Sequence, residues 1–193
     1  MPADVVNYLG EIVNKLRLEI KNLNMHRSMS PPMKLVRVFL NRQRANENPL
    51  GAHVDTGPVI SASVHVCTDD IMGGGLRILG GECITIRWPK GEATSMIFAS
   101  TLTHKTLLVD KGTDYGFIFF FDFEDETNNG KHRIPTGHIG KPKTILPAEG
   151  RATLLQFCEE TFKEEVWTYE KDESAKTQRK DALAKSQGTQ QWI

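Results

Sequence analysis

Apolar residues near the start of the chain recur at three- and four-residue steps: Val5, Val6, Leu9, Ile12, Val13, Leu16, Ile20 and Leu23, with Glu and Lys between them. That spacing lays one apolar stripe along a helix and predicts an amphipathic helix over residues 3–24, with Asp4 as its N-cap or first-turn acid. The segment "SMSPPM" (28–33) ends the pattern, because paired prolines cannot continue a helix. Beyond it the period drops to two. Strands are predicted over 34–41, 59–67, 75–79, 83–88, 93–100 and 115–123, with the polar loop "RQRANENPLG" after the first. In 59–67, Ile60, Ala62, Val64 and Val66 alternate with Ser61, Ser63, His65 and Cys67; the polar set lines a pocket or faces solvent. A charged loop (124–133) and a Pro/Gly-rich segment (134–150) lead to a second helix near 150–168, with Leu154, Leu155, Phe157, Phe162 and Val166 on its apolar face. From Tyr169 the tail is charged or polar. Internal repeats are absent.

Short strands joined by Gly and Asp turns point to an antiparallel sandwich or barrel, flanked by two covering helices: an α+β domain. The 193 residues suit one domain, and 39% hydrophobic with 25% charged residues allow a real core. No apolar run is long enough to cross a bilayer, and the N-terminus lacks the basic and apolar regions of a secretory signal. The three cysteines, Cys67, Cys83 and Cys158, are odd in number and far apart, with no CxxC pair. That argues against a disulfide framework or a cysteine zinc site and for a reducing compartment. A soluble intracellular protein, cytoplasmic or nuclear and without a membrane partner, is the expectation.

Charge is unevenly spread. Up to Arg44 there are eight Lys and Arg against three acids, although the whole chain has a formal net charge of zero. A basic first third suits phosphates or an acidic partner, and equally suits a solvated helix face.

The candidate chemistry lies in "GAHVDTG". His53 and Asp55 are two residues apart, so on an extended segment their side chains leave the same face and can reach one ion. Two imidazoles and one carboxylate on one side of a mid-row divalent metal leave positions open for substrate and oxygen. His104, just after an apolar strand, is the candidate third ligand.

The order of the surrounding pieces strengthens this. "LGAHVDTGPVISASVHVCTDDIMGGGLRIL", followed by "KGEATSMIFASTLTHKTLLVDKG", resembles the double-stranded β-helix (jelly-roll, cupin-like) of the Fe(II)/2-oxoglutarate dioxygenases. An HxD, a strand of small and apolar residues, Gly74-Gly75-Leu76, the strand from Gly91 to Phe98, and His104 appear in the family's order. The resemblance implies one dioxygenase-like domain over 1–168 with its β core at about 34–123, and a tail over 169–193. It also implies an enzyme holding Fe(II) on His53, Asp55 and His104 as catalytic ligands, with 2-oxoglutarate as cosubstrate. Several branches, AlkB-like and nucleobase-oxidising among them, carry an Asn-x-Tyr that contacts 2-oxoglutarate. Asn41 and Gln43 stand there in this chain, Gln43 being a departure.

A second departure is larger. Family members place an Arg or Lys about ten residues past the distal histidine, where it pairs with the far carboxylate of 2-oxoglutarate; here that residue is Asp114. Another cation can serve, Lys111 or the strand residues Arg77 and Arg87. The cosubstrate can instead be a hydroxyl-rich molecule that Asp114 binds. Or the chain can be a catalytically degenerate, cupin-like binding module. For the substrate, the basic first third and the Asn41 segment lean towards a nucleobase, hence a nucleic-acid partner, whereas the "GGGL" turn equally suits a prolyl-hydroxylase-like enzyme acting on a protein side chain.

Overall fold

The computed structural model describes residues 1–24, 33–79, 83–124 and 140–170. Helix α1 (Ala3–Asn24) buries Val5, Ile12, Leu16 and Ile20, residues that return to one side of a 3.6-residue helix. Val6 lies one residue from Val5, about 100° around the axis, and is exposed. Part of the basic charge of this region is used internally. Lys15 donates to the Ile145 carbonyl at 2.8 Å and pairs with Glu11, while Glu19 accepts from Lys143.

Ten strands follow among the described residues: β1 (Met33–Arg44), β2 (Ile60–Cys67), β3 (Met72–Gly73), β4 (Leu76–Ile78), β5 (Ile84–Ile86), β6 (Ala93–Ala99), β7 (His104–Thr106), β8 (Val109–Lys111), β9 (Thr113–Phe123) and β10 (Lys143–Leu146). Helix α2 spans Ala148–Glu170. The strands form three antiparallel sheets, ordered β1-β9-β2-β6-β10, β5-β4-β7 and β3-β8.

Strand β1 runs on through the "RQR" expected to be loop. Its polar end is paired residue by residue with β9, from Asn41 opposite Gly116 to Arg44 opposite Thr113, so the backbone ladder outweighs the polar side chains. Strand β2 lies between β9 and β6 and is buried at every position. Ser61, Ser63 and His65 therefore do not face solvent. The unanticipated β3, β7 and β8 hold two or three residues each, too few to show an alternation. β10 sits in the segment expected to be an irregular Pro/Gly-rich connection, and its edge pairing with β6 makes it a strand.

Apolar packing joins β2 and β6 to the smaller sheets through Cys67, Leu76, Ile78, Trp88, Met96 and Phe98. In β4 the alternation settles Arg77: Leu76 and Ile78 are buried and Arg77 is exposed. The preceding glycines have a positional cause. Gly75 has φ 118°, and a Cβ there would overlap the Ile86 carbonyl oxygen of β5, so only glycine lets β4 approach its neighbour.

Two compact units divide the chain, Met1–Leu155 and Gln156–Ile193. Within α2, Leu154 in the first unit is buried; Phe157 and Phe162 in the second are half-buried and Cys158 is buried. The side chain of Val166, most of the charged loop expected over 124–133, and the tail beyond Glu170 lie outside the described residues. None of the described helices is long and apolar enough to cross a membrane.

The cysteines have distinct environments. Burial pushes the Cys67 thiol far up, reinforced by the charge of Asp114, and pushes Cys158 up to about 12, whereas Cys83 is exposed. A thiolate-selective reagent at neutral pH is expected to modify Cys83 alone in the folded protein. Mass mapping after brief iodoacetamide treatment checks this, and rapid labelling of Cys67 or Cys158 would contradict it.

Candidate metal centre

The chain from Leu50 to Asp55 is too short of regular pairing to be a named strand, yet the backbone holds it firmly against β7. His53 and His104 exchange both hydrogen bonds, at 3.0 and 2.9 Å. Such a pair of directly opposed residues projects its side chains on one side. Thr106 N donates to the Leu50 carbonyl at 3.2 Å, and Asp55 N donates to the Ser100 carbonyl at 3.0 Å. Asp55 follows His53 by two residues and so returns to the same side.

His53, Asp55 and His104 converge, each offering a ligand atom, with those atoms all within 4.8 Å of one another. His53 Nε2 is 3.7 Å from Asp55 Oδ1, and His104 Nε2 is 3.7 Å from Asp55 Oδ2. Both rings are oriented the same way. The Nδ1 of His53 lies 2.9 Å from the Gly51 carbonyl and that of His104 lies 2.9 Å from the Leu102 carbonyl. A carbonyl only accepts, so each Nδ1 carries the hydrogen and each Nε2 lone pair is turned to the common centre. Two neutral imidazoles and a carboxylate form a donor set that suits Fe(II) or a similar divalent metal.

Burial grades across the site. The His104 side chain is 7% exposed and packs edge-to-face with Phe98, ring centroids 4.7 Å apart, and the His53 side chain is 32% exposed. The centre is thus walled on the β7 side and open on the His53 side. Burial lowers the His104 pKa, with His53 adding to it, against the raising effects of the Leu102 carbonyl and Asp55. The neutral, ligand-ready ring therefore persists to lower pH than an ordinary imidazole.

Asp55 is held from behind by Ser61, which the alternation of β2 marked only as polar, and through it by Ser100 at the end of β6. Ser61 Oγ donates to Asp55 Oδ2 at 2.6 Å and lies 2.9 Å from Ser100 Oγ. Both serines are fully buried. Ser61→Ala is expected to leave the fold intact and weaken Fe(II) affinity about tenfold, because partners that orient a metal-binding carboxylate contribute on that scale. Anaerobic Fe(II) titration checks it; unchanged affinity would show that Asp55 needs no support.

The other predicted residues are placed elsewhere. Arg77 is exposed and donates to Cys83 Sγ at 3.0 Å, Lys111 is exposed and pairs with Asp70 at 3.7 Å, and Arg87 donates to the Gly74 carbonyl. Gln43 donates to the Leu107 carbonyl at 3.0 Å. Asp114 is buried, with oxygens accepting from His65 Nδ1 at 2.8 Å, Trp88 Nε1 at 3.1 Å and Cys67 Sγ at 3.3 Å. The position expected to carry a cation thus carries a carboxylate with three donors of its own. His65 and Trp88 were legible in the sequence only as an alternating residue of one predicted strand and the last residue of another.

No protein-family model matches the chain, and no curated protein matches it. Among solved structures, it is similar to a crystal structure of an oxidoreductase of the 2OG-Fe(II) oxygenase family from Burkholderia pseudomallei, with 14% sequence identity and a TM-score of 0.44. The likeness covers 51% of this chain and 49% of that one, so the chain spans about half the length of that protein.

Proposed function

We propose that this protein is an Fe(II)-dependent dioxygenase that oxidises a C–H bond with 2-oxoglutarate as cosubstrate, in a double-stranded β-helix. The observation that carries this is the convergence of His53 Nε2, His104 Nε2 and the Asp55 carboxylate, with both Nδ1 atoms committed to backbone carbonyls. The strand order supports the fold: β1, β9, β2, β6 and β10 lie in one antiparallel sheet and β5, β4 and β7 in another, and the chain passes from the first to the second between β2 and β4, returns at β6, crosses again at β7 and returns at β9. The bridge between His53 and His104 adds a fourth segment to the smaller sheet.

Fe(II) held there supplies the redox chemistry for O2-dependent oxidation. The chain's own residues do the rest. Backbone pairing of His53 with His104 sets the separation of the two imidazoles, Ser61 and Ser100 aim the carboxylate, and Phe98 excludes water behind His104. The substrate is a nucleobase or a protein side chain, the basic first third of the chain favouring the nucleobase.

A binding module that keeps the metal without turnover is the second reading, favoured by Asp114 where a cation was expected. Anaerobic Fe(II) titration, followed by succinate release from 2-oxoglutarate on admitting O2, separates the two. Stoichiometric Fe(II) binding with succinate release supports the dioxygenase. Metal binding without succinate supports the module, and no metal binding defeats both.

A further inference from the structure

The two edges of the five-stranded sheet differ. At one, β10 has four residues and lies beside α1, whose Lys15 donates to the Ile145 carbonyl at 2.8 Å. At the other, β1 runs for 12 residues and pairs with β9 on one side only. Ala45 N donates to the Gly112 carbonyl at 3.1 Å, which continues the β1–β9 register as a hydrogen-bonded pair. Such pairs recur at every second residue of an antiparallel ladder, so Gln43, Asn41, Phe39 and Arg37 bond to β9. The backbone N–H and C=O groups of Val38, Leu40, Arg42 and Arg44 are therefore turned to the outer side.

Three observations describe what this edge accepts. Val38 and Leu40 have no backbone partner on the outer side among the described residues, and the edge is accessible, with Val36 47% exposed and Arg37 and Asn41 exposed. The strand carries Lys34, Arg37, Arg42 and Arg44 and no acid. Its last outward position is already taken by an acid of the chain itself. Arg44 N donates to Glu47 Oε2 at 2.8 Å, Glu47 N donates to the Arg44 carbonyl at 3.2 Å, and Glu47 Oε1 lies 3.9 Å from Arg42 Nη2. An acidic residue thus meets the charge and the backbone groups of the edge together. A second copy of β1 does not, because self-pairing brings cations of both strands onto one seam, and like charges across strands are destabilising. A nucleic acid does not either. The outward C=O groups need donors, which a peptide backbone has and a phosphodiester backbone lacks.

We propose that the outer edge of β1 binds an extended acidic segment of a partner protein by strand addition, its backbone pairing with Val38 and Leu40 and its Asp or Glu side chains lying beside Arg37 and Arg44. In strand addition the main-chain hydrogen bonds give affinity and the flanking side chains give specificity. Positive charge and the register shift between Leu35 and Arg37 are devices that keep an exposed edge from pairing with its own kind. The same residues that exclude a copy of this chain therefore admit an acidic strand. The surface does not rest on the dioxygenase reading, since the converging His53, Asp55 and His104 belong to the segment before β2 and to β7.

The test follows the fluorescence anisotropy of labelled probes added to the full chain: a short peptide alternating Glu and Val, its Lys-for-Glu counterpart, and oligothymidylate. The Glu peptide is expected to bind about tenfold or more tightly than the Lys peptide, and Arg37→Gln/Arg44→Gln should remove most of that preference. N-methylation of alternate peptide nitrogens leaves the charge unchanged. In the phase that faces β1 it should weaken binding about tenfold or more, and in the other phase it should be tolerated. Leu40→Pro removes an outward N–H and no bond to β9, so it should unfold in urea like wild type and lose the Glu peptide. If that variant does not fold, the methylated peptides and the double Gln variant decide. Equal binding of both methylated forms and the parent, or of the Glu and Lys peptides, would overturn strand addition. Oligothymidylate bound as tightly as the Glu peptide would mark a general polyanion surface instead. Sedimentation showing a dimer that Leu40→Pro dissolves would give the edge to a second copy, and would equally overturn the proposal.

Discussion

Asp55→Ala is expected to reduce Fe(II) affinity well beyond the roughly 10–100-fold that loss of an orienting partner costs, with little change in folding stability of the metal-free protein. Asp55 is the single anionic member of the three converging side chains, and each of its oxygens faces one imidazole Nε2 at 3.7 Å. Its removal leaves two neutral nitrogens, which by themselves neither compensate the ion's charge nor complete a three-sided donor set. The fold has little stake in the carboxylate. Ser61 and Ser100 still bond each other, and the Asp55 backbone still donates to the Ser100 carbonyl. Anaerobic titration gives the affinity and urea denaturation the stability. Retained affinity would remove the metal centre, whereas loss of both quantities together would make Asp55 a structural residue.

Asp114→Ala is expected to act on the fold instead, lowering stability by roughly 2–6 kcal/mol, because two buried donors lose their acceptor at about 1–3 kcal/mol each. His65 and Trp88 would keep their ring N–H groups buried with no acceptor. Asp114→Asn retains one acceptor oxygen and should cost less. Denaturation midpoints of the two variants at constant slope check the order; equal, small losses would show that the carboxylate is dispensable to the fold. Fe(II) affinity should stay near that of wild type in both, since the donors to Asp114 are His65, Trp88 and Cys67 and none of the three candidate ligands.

The residues differ in how far their roles were legible. His53 and Asp55 share a face because a strand repeats every two residues, and that is a local property. The stripe of α1 and the strand character of β2, β6 and β9 are local in the same way. His104 was named from its place after an apolar strand and from the order of motifs, but its approach to His53 depends on a pairing across some fifty residues. Alternation in "GLRIL" shows Arg77 on the face opposite Leu76 and Ile78 without telling which of the two is buried; contacts with β2, β6 and Trp88 decide it.

Asp114 shows the limit most clearly. Counted along the chain, it is an acid where a cation was expected. In the structure it is the acceptor for His65 and Trp88, residues 49 and 26 positions away. Its neighbours are set by the register of β9 against β2 and by how the segment holding Trp88 packs on that face.

The amino-acid sequence by itself determined the periodicities, the two helices, most of the strands and the identity of three candidate ligand side chains. Only the tertiary structure decided that their donor atoms meet, that Ser61 and Ser100 support Asp55, and that Ser63, His65 and Thr94 face inward beside Asn41. The reason is physical. Side-chain direction along one element is set by backbone geometry, whereas the partner of a side chain is set by register and packing between elements far apart in the chain.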